Sequence, residues 1–187
     1  IFRFILAGKI KLLNLHFTDN NADYGGGLSC RYSPVYGKNL LLSGNMGGSA
    51  GGGIHLYHSY PDTLYSITWL NNTSTGNGSG IFIQSCDSVI LNDLLLEGNF
   101  SSASGGGMYI TSSHVNCSNA VINGNRANMT GAGVFANVST FYLYNSCLTS
   151  NTISDWGTGG GSYLLGGDNR VLNCLFMNNY ASNYGSA

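Results

Sequence analysis

The stretch that decides the fold runs from Asp93 to Gly107 and reads DLLLEGNFSSASGGG. It contains three features. Asp93 is a small polar residue, Leu96 is followed three positions later by Asn99, and a glycine cluster closes the stretch. The same three features recur along the chain in the same order. Repetition at a fixed period is typical of architectures in which one structural unit stacks on the next.

The repeat has seven copies. The polar residues are Asn14, Asn39, Ser66, Asp93, Asn119, Asn145 and Asn173, and the asparagines that follow them are Asn20, Asn45, Asn72, Asn99, Asn125, Asn151 and Asn179. Six glycine clusters end at positions 27, 53, 80, 107, 133 and 161, with spacings of 26, 27, 27, 26 and 28, and a degenerate copy follows at 185–187. Chance glycine richness does not keep three columns in one register.

The pattern inside each repeat predicts β-strands. Apolar and polar residues alternate after each glycine cluster, as in Ile81-Phe82-Ile83-Gln84, which is typical of a strand with one buried face. Helical periodicity is absent, and the 28 glycines disfavour helices. Repeats of 26–28 residues are too short for a propeller blade but fit one coil of a parallel β-helix. We therefore predict an all-β, single-stranded parallel β-helix (solenoid) of about seven rungs, forming one domain over residues 1–187.

Stacking gives each column a role. Strands in neighbouring rungs lie about 4.8 Å apart, so equivalent residues form ladders along the rod. We expect the asparagines to form a buried hydrogen-bonded ladder, and the glycines to occupy sharp bends without room for a Cβ atom. The predicted inward columns are Leu28, Ile54, Ile81, Met108, Val134 and Ser162, with Cys30, Leu56, Ile83, Ile110, Ala136 and Leu164 beside them.

Composition excludes several classes of protein. Charged residues make up only 8% of the chain and the net charge is -1, so no basic field exists to hold nucleic acid. No apolar run approaches the roughly 18 residues of a membrane helix, so we expect no membrane insertion by this segment. With 43% hydrophobic residues, the chain is too apolar for a disordered polar tract.

One copy of the repeat resembles a known family. Phe17-Thr18-Asp19-Asn20-Asn21-Ala22 followed by the glycine cluster at 25–27 is similar to the polymorphic outer-membrane-protein repeat of bacterial autotransporter passengers. Two other copies carry the motif in part: Ile122, Asn125 and Ala127 with Gly131, and Phe176, Asn179 and Ala181 with Gly185. The resemblance implies a right-handed coil and a secreted protein, extracellular or at the cell surface, with an adhesive role.

The residues give little support to catalysis. Enzymes that cleave polysaccharides on a β-helix need carboxylates grouped on an outer face, because acid and base must flank one bond. Outward positions after the glycine clusters carry no acid, and only Asp62 and Asp87 could approach each other across rungs. His55 and His58 should not converge on a metal. We expect no enzyme activity, no catalytic residues, no metal site and no cofactor. A polysaccharide lyase or glycosidase remains the alternative.

Cysteines and sequons add two further expectations. The five cysteines leave at least one unpaired, and Cys86 with Cys117 forms a candidate disulfide between adjacent rungs. Four sequons are surface candidates for glycosylation: Asn77, Asn116, Asn128 and Asn137.

An outward aromatic file is a candidate contact face. It comprises Phe82, Tyr109, Phe135 and Tyr163 on consecutive rungs. Monomeric proteins rarely expose such a stripe. Either loops cover the file as a satellite core, or it contacts another rod or a carbohydrate. In the second case the protein is a binding module for a carbohydrate or another cell-surface ligand.

The two ends of the repeat array point to continuation. Residues 1–4 look like the strand that follows a glycine cluster, and residue 187 falls at the end of such a cluster. No polar capping repeat is visible, and open strand edges invite pairing. We expect either a slice of a longer solenoid or a subunit that self-associates end to end into a filament. The expected function is therefore a structural or adhesive one outside the cell.

Overall fold

A computed structural model describes residues 2–6 and 8–185, and the chain in these ranges forms 22 β-strands. In chain order they are β1 (Phe2–Ile5), β2 (Ile10–Thr18), β3 (Asn21–Tyr24), β4 (Leu28–Arg31), β5 (Val35–Ser43), β6 (Met46–Ala50), β7 (Ile54–Tyr57), β8 (Asp62–Leu70), β9 (Thr73–Ser74), β10 (Ile81–Gln84), β11 (Val89–Glu97), β12 (Phe100–Ser101), β13 (Met108–Thr111), β14 (His114–Asn123), β15 (Arg126–Ala127), β16 (Val134–Asn137), β17 (Thr140–Tyr144), β18 (Cys147–Thr149), β19 (Thr152–Ile153), β20 (Ser162–Leu165), β21 (Asn169–Leu172) and β22 (Leu175–Met177).

The strands form three parallel sheets that wind as a solenoid of about seven turns. The seven-stranded sheet has the order β1-β4-β7-β10-β13-β16-β20. The nine-stranded sheet follows β2-β5-β8-β11-β14-β17-β21 and includes β18 and β22, and the six-stranded sheet follows β3-β6-β9-β12-β15-β19. Each strand pairs with its equivalent one repeat away, as in Ile81 with Met108. The predicted all-β parallel solenoid is confirmed, and β1 occupies the predicted position beside β4.

Left-handed backbone forms the corners of each coil. The first repeated column, which the sequence shows only as small and polar, has φ between 49° and 61° in all seven copies: Asn14, Asn39, Ser66, Asp93, Asn119, Asn145 and Asn173. Asparagine and aspartate tolerate this conformation because their short polar side chains bond locally. This column bends the nine-stranded sheet within long strands such as β5 and β11. The bend explains why small polar residues recur at these positions.

The glycine clusters serve two separate needs. The first glycine of each cluster is a left-handed corner, as at Gly51 with φ of 65°. The last one has no space for a side chain: a Cβ atom on Gly53 would lie 2.6 Å from the carbonyl oxygen of Gly80. The clusters are therefore fixed by both backbone conformation and rung-to-rung contact. Residues 186 and 187 of the degenerate copy lie outside the described residues, as does Ile1.

The core is the interior of the coil. Five members of the first inward column, namely Leu28, Ile54, Ile81, Met108 and Val134, have no exposed surface, which confirms the predicted strand orientation. Ser162, in the last complete rung, is half-buried. Trp69 and Phe141 are the largest fully buried side chains. A search of the described residues for a helix able to span a bilayer found none.

Candidate functional site

The asparagine ladder is the best-defined polar structure in the molecule. The Asn72 side-chain amide donates to the carbonyl oxygen of Leu42 (2.9 Å) and to Oδ1 of Asn99 (2.9 Å). Its own Oδ1 accepts from the backbone and side-chain amides of Asn45, both at 3.0 Å. Asn45, Asn72, Asn99, Asn125 and Asn151 are fully buried, and Asn20 and Asn179 form the two ends. The predicted ladder is confirmed, and it is structural because every amide is engaged within the coil.

The aromatic file stacks on itself. Ring centroids are 5.0 Å apart from Phe82 to Tyr109, 4.7 Å from Tyr109 to Phe135 and 5.7 Å from Phe135 to Tyr163. The ring planes are within 16° of parallel. Phe82 and Phe135 are buried although they point outward. Both faces of the two central rings are therefore covered by neighbouring rings, and the file presents ring edges to its surroundings.

Beside the start of this file lies a cleft on the outer face of the seven-stranded sheet. It consists of two adjoining depressions of about 380 and 300 Å³ that share Tyr24 and Arg31. The first is also lined by Arg3, Ala22, Asp23 and Ser29, and the second by His55, Tyr57 and Gln84. Register places Arg3, Ser29 and His55 in one outward column, and Arg31, Tyr57 and Gln84 in the next. Tyr24 reaches the cleft from the end of β3.

His55 is buried, which the sequence did not predict. It points outward from β7, yet only 3% of its surface is exposed. Its ring lies 5.2 Å from that of Tyr24 and 5.3 Å from that of Phe82, and its Nδ1 is 3.5 Å from the Ser29 hydroxyl. Burial, and then the charge of Arg31, lower the pKa of His55 to about 4, so the imidazole is neutral near pH 7. The rings of Tyr24 and Phe82 on other strands bury His55. The alternation of residues along one strand does not reveal such contacts.

The two carboxylates considered for catalysis do not meet. Asp62 points into the core, where its Oδ1 accepts from the Val35 backbone amide (2.9 Å) and the Ser59 hydroxyl (2.7 Å). Its Oδ2 is buried without a partner among the described residues. Asp87 is exposed and pairs with His114 at 3.1 Å. Burial raises the pKa of Asp62 to about 6, although the two hydrogen bonds oppose that shift.

The predicted disulfide is wrong in this structure, because Cys86 and Cys117 are both free. Register explains the error: the backbone amide of Cys86 donates to Ser113 Oγ in the next rung, whereas Cys117 lies within β14 opposite Leu91. The two thiols therefore occupy different columns. Burial raises the pKa of each to about 12. Cys30 is also buried and free, as its inward position indicates.

The glycosylation candidates differ in accessibility. Asn116 is exposed on β14, whereas Asn77, Asn128 and Asn137 are half-buried. Oδ1 of Asn77 already accepts from the backbone amide of Ser104 at 3.0 Å. Asn116 is thus the best placed of the four, and glycosylation at these positions stays a prediction.

Comparison with protein families matches residues 14–187 to the family described as "Periplasmic copper-binding protein (NosD)". The chain belongs to the NosD family. The resemblance to the polymorphic outer-membrane-protein repeat is not confirmed by this match. The NosD family is described as periplasmic, which agrees with the expectation that the protein is located outside the cytoplasm. Searches of curated proteins and of solved structures found no match.

The copper in the NosD family description can be tested against the donor atoms of this chain. Copper sites use thiolate, thioether and imidazole ligands. Within residues 2–6 and 8–185, no three side chains of His, Cys, Asp or Glu are grouped so that they could hold a metal ion. Burial also keeps the thiols of Cys30, Cys86 and Cys117 protonated. The described residues therefore do not fit a copper centre built from three His, Cys, Asp or Glu ligands.

Proposed function

We propose that this NosD-family protein is a structural or adhesive rod segment of the cell envelope or cell surface, extended by further rungs at its end faces. The supporting observation is that some apolar side chains of the inward columns are exposed in the first and last rungs of the described residues. Phe2 and Leu15 lie in the inward columns of the first rung, yet they are 54% and 37% exposed. Buried equivalents one rung further on are Leu28 and Leu40.

The opposite end has the same character. Leu164, Val171 and Phe176 continue the inward columns but remain only partly buried. Apolar surface in water costs about 25 cal/mol per Å², and unpaired strand edges add unsatisfied backbone groups. A further rung with the same columns would cover the exposed apolar surface and pair the open strand edges, because each rung already does this for the one before it. This complementarity favours end-to-end association between copies.

The carbohydrate-active enzyme is the weaker alternative. Asp62 lies in the core and Asp87 on the surface, so the pair considered for acid and base catalysis is not assembled. Sugar binding on the two central rings of the aromatic file is also disfavoured, because neighbouring rings occupy both faces of Tyr109 and Phe135.

The proposal is tested by the concentration dependence of assembly of the 187-residue chain. We expect analytical ultracentrifugation to show growth with concentration, and electron microscopy to show rods with a layer line near 4.8 Å. Leu15→Glu should block growth by placing a charge on the end face. Val121→Glu is the matched control, because Val121 is 44% exposed on an outward strand position. A chain that stays monomeric at every concentration would overturn the proposal.

A further inference from the structure

Arg31 in the cleft carries an unmatched charge. Its Nε atom is buried without a hydrogen-bond partner, and no carboxylate of the described residues lies within 4.0 Å of its guanidinium. Its guanidinium carbon lies 4.8 Å from the centre of the Tyr57 ring. Burying part of a cation without an anion is unfavourable. The arrangement therefore leaves a positive charge in the cleft that no carboxylate of the described residues balances.

The surroundings strengthen the positive field. Arg3 lines the same cleft and brings a second guanidinium group to it. His55 adds no charge near pH 7, because burial lowers its pKa to about 4. Asp23 is the one carboxylate that lines the cleft. Two guanidinium groups thus face one carboxylate, and the cleft favours an anion.

The remaining lining groups suit a ligand with hydroxyl groups. Gln84 offers a hydrogen-bond donor and acceptor, Tyr24 adds a half-exposed aromatic wall, and the buried side chains of Ser29 and His55 form the polar floor. Sugar rings combine hydroxyl groups with apolar faces, so they match both kinds of surface. A guanidinium and a carboxylate fit each other as planar groups with two parallel hydrogen bonds.

We propose that the cleft binds an acidic saccharide, with the saccharide carboxylate held by Arg31 and assisted by Arg3. The site lies on the side of the rod rather than on its end faces. Arg3 belongs to β1 at the end face, whereas Arg31 belongs to β4 one rung further in. A variant of Arg31 therefore tests the cleft without altering the end face, and either proposal can fail without the other. Binding of acidic polysaccharide along the side would give an adhesive rod a ligand of defined chemistry.

The experiment is NMR titration of the ¹⁵N-labelled 187-residue chain with sodium glucuronate, glucose and glucose 6-phosphate as probes. We expect glucuronate to shift the Arg31 Nε–Hε signal and the backbone amides of Ser29 and His55. Glucose, which lacks the charge, should shift them far less. Glucose 6-phosphate should bind more weakly than glucuronate; equal or stronger binding would overturn the carboxylate assignment. Absence of any glucuronate-specific shift would overturn the site itself.

Variants separate the contact from the fold. Arg31→Gln should weaken glucuronate binding roughly tenfold, and Arg31→Lys should recover only part of it because lysine lacks the planar fork. Asp23→Asn should strengthen binding by removing a like charge, and it does not alter Arg31. Arg170→Gln is the control, since Arg170 is an exposed arginine at the opposite end, paired with Asp168. Unchanged binding in both Arg31→Gln and Asp23→Asn would contradict the proposal.

Discussion

Replacing Asn72 with alanine isolates the contribution of the buried ladder. Asn72 lies in the middle of the array and is fully buried. The alanine variant keeps the backbone amide of Asn72, which donates to Oδ1 of Asn99 at 3.0 Å. It removes the side-chain oxygen that accepts from Asn45 and the side-chain amide that donates to Leu42. The change is therefore confined to hydrogen bonds between three neighbouring rungs.

Besides Oδ1 of Asn99, which keeps one of its two donors, three buried groups lose a hydrogen bond in this variant. They are the backbone N–H of Asn45, one side-chain N–H of Asn45 and the carbonyl oxygen of Leu42. Each buried polar group left unpaired costs roughly 1–3 kcal/mol. We therefore expect Asn72→Ala to lower the free energy of unfolding by about 5 kcal/mol, a large fraction of the roughly 5–15 kcal/mol of a typical domain.

The assay is urea unfolding followed by circular dichroism, combined with native-state amide hydrogen exchange. Rungs contact only their neighbours, so exchange should accelerate around Asn45 and Asn72 and change little near Asn151. The matched control is Asn116→Ala on an exposed position of β14, which should change stability by less than about 0.5 kcal/mol. If Asn72→Ala were no more destabilising than Asn116→Ala, the ladder would not support the fold as described.

Three further predictions follow from packing and burial. Gly53→Ala should destabilise by about 3 kcal/mol because its Cβ would lie 2.6 Å from the Gly80 carbonyl oxygen, whereas Gly8→Ala, with no atom within 4 Å, should be near neutral in thermal melts. The carboxyl group of Asp62 has a usual pKa of 3.8 and a pKa of about 6 in the folded protein. In the pH window between these two values, the folded state therefore binds more protons than the unfolded state. Stability should thus fall by about 3 kcal/mol as pH rises through the window, and Asp62→Asn should flatten the urea-unfolding profile against pH; an unchanged slope in the variant would refute the assignment. Thiol titration with Ellman's reagent at neutral pH should leave three buried cysteines unreacted until urea is added, namely Cys30, Cys86 and Cys117. Rapid reaction of these thiols in the native protein would contradict their burial.

The overall fold was predictable because each repeated column has one physical role in every rung. Leu96 and Asn99 belong to such columns, and so does the glycine cluster that ends at Gly107. A stacked coil places equivalent residues in contact, so repetition in sequence becomes a ladder in space. The left-handed corners at Asp93 and its equivalents could have been inferred from the Asn and Asp content of that column.

Features that depend on one rung alone were not predictable to the same extent. Asp62 aligns with Val35 and Val89, and this polar residue in an apolar column was the available signal for a buried carboxylate. The cleft was harder to predict, because Tyr24 comes from a different sheet from Arg31. The disulfide failed because strand alternation alone does not fix the column of a cysteine near a bend.

The most direct test of the stacked-rung account is hydrogen exchange of the asparagine side-chain amides, measured by NMR. If the rungs are superposed, the Nδ2 protons of Asn45, Asn72 and Asn99 exchange as slowly as the backbone amides of the core strands, because each donates to buried acceptors. Exchange as fast as that of the exposed Asn116 side chain would contradict the account.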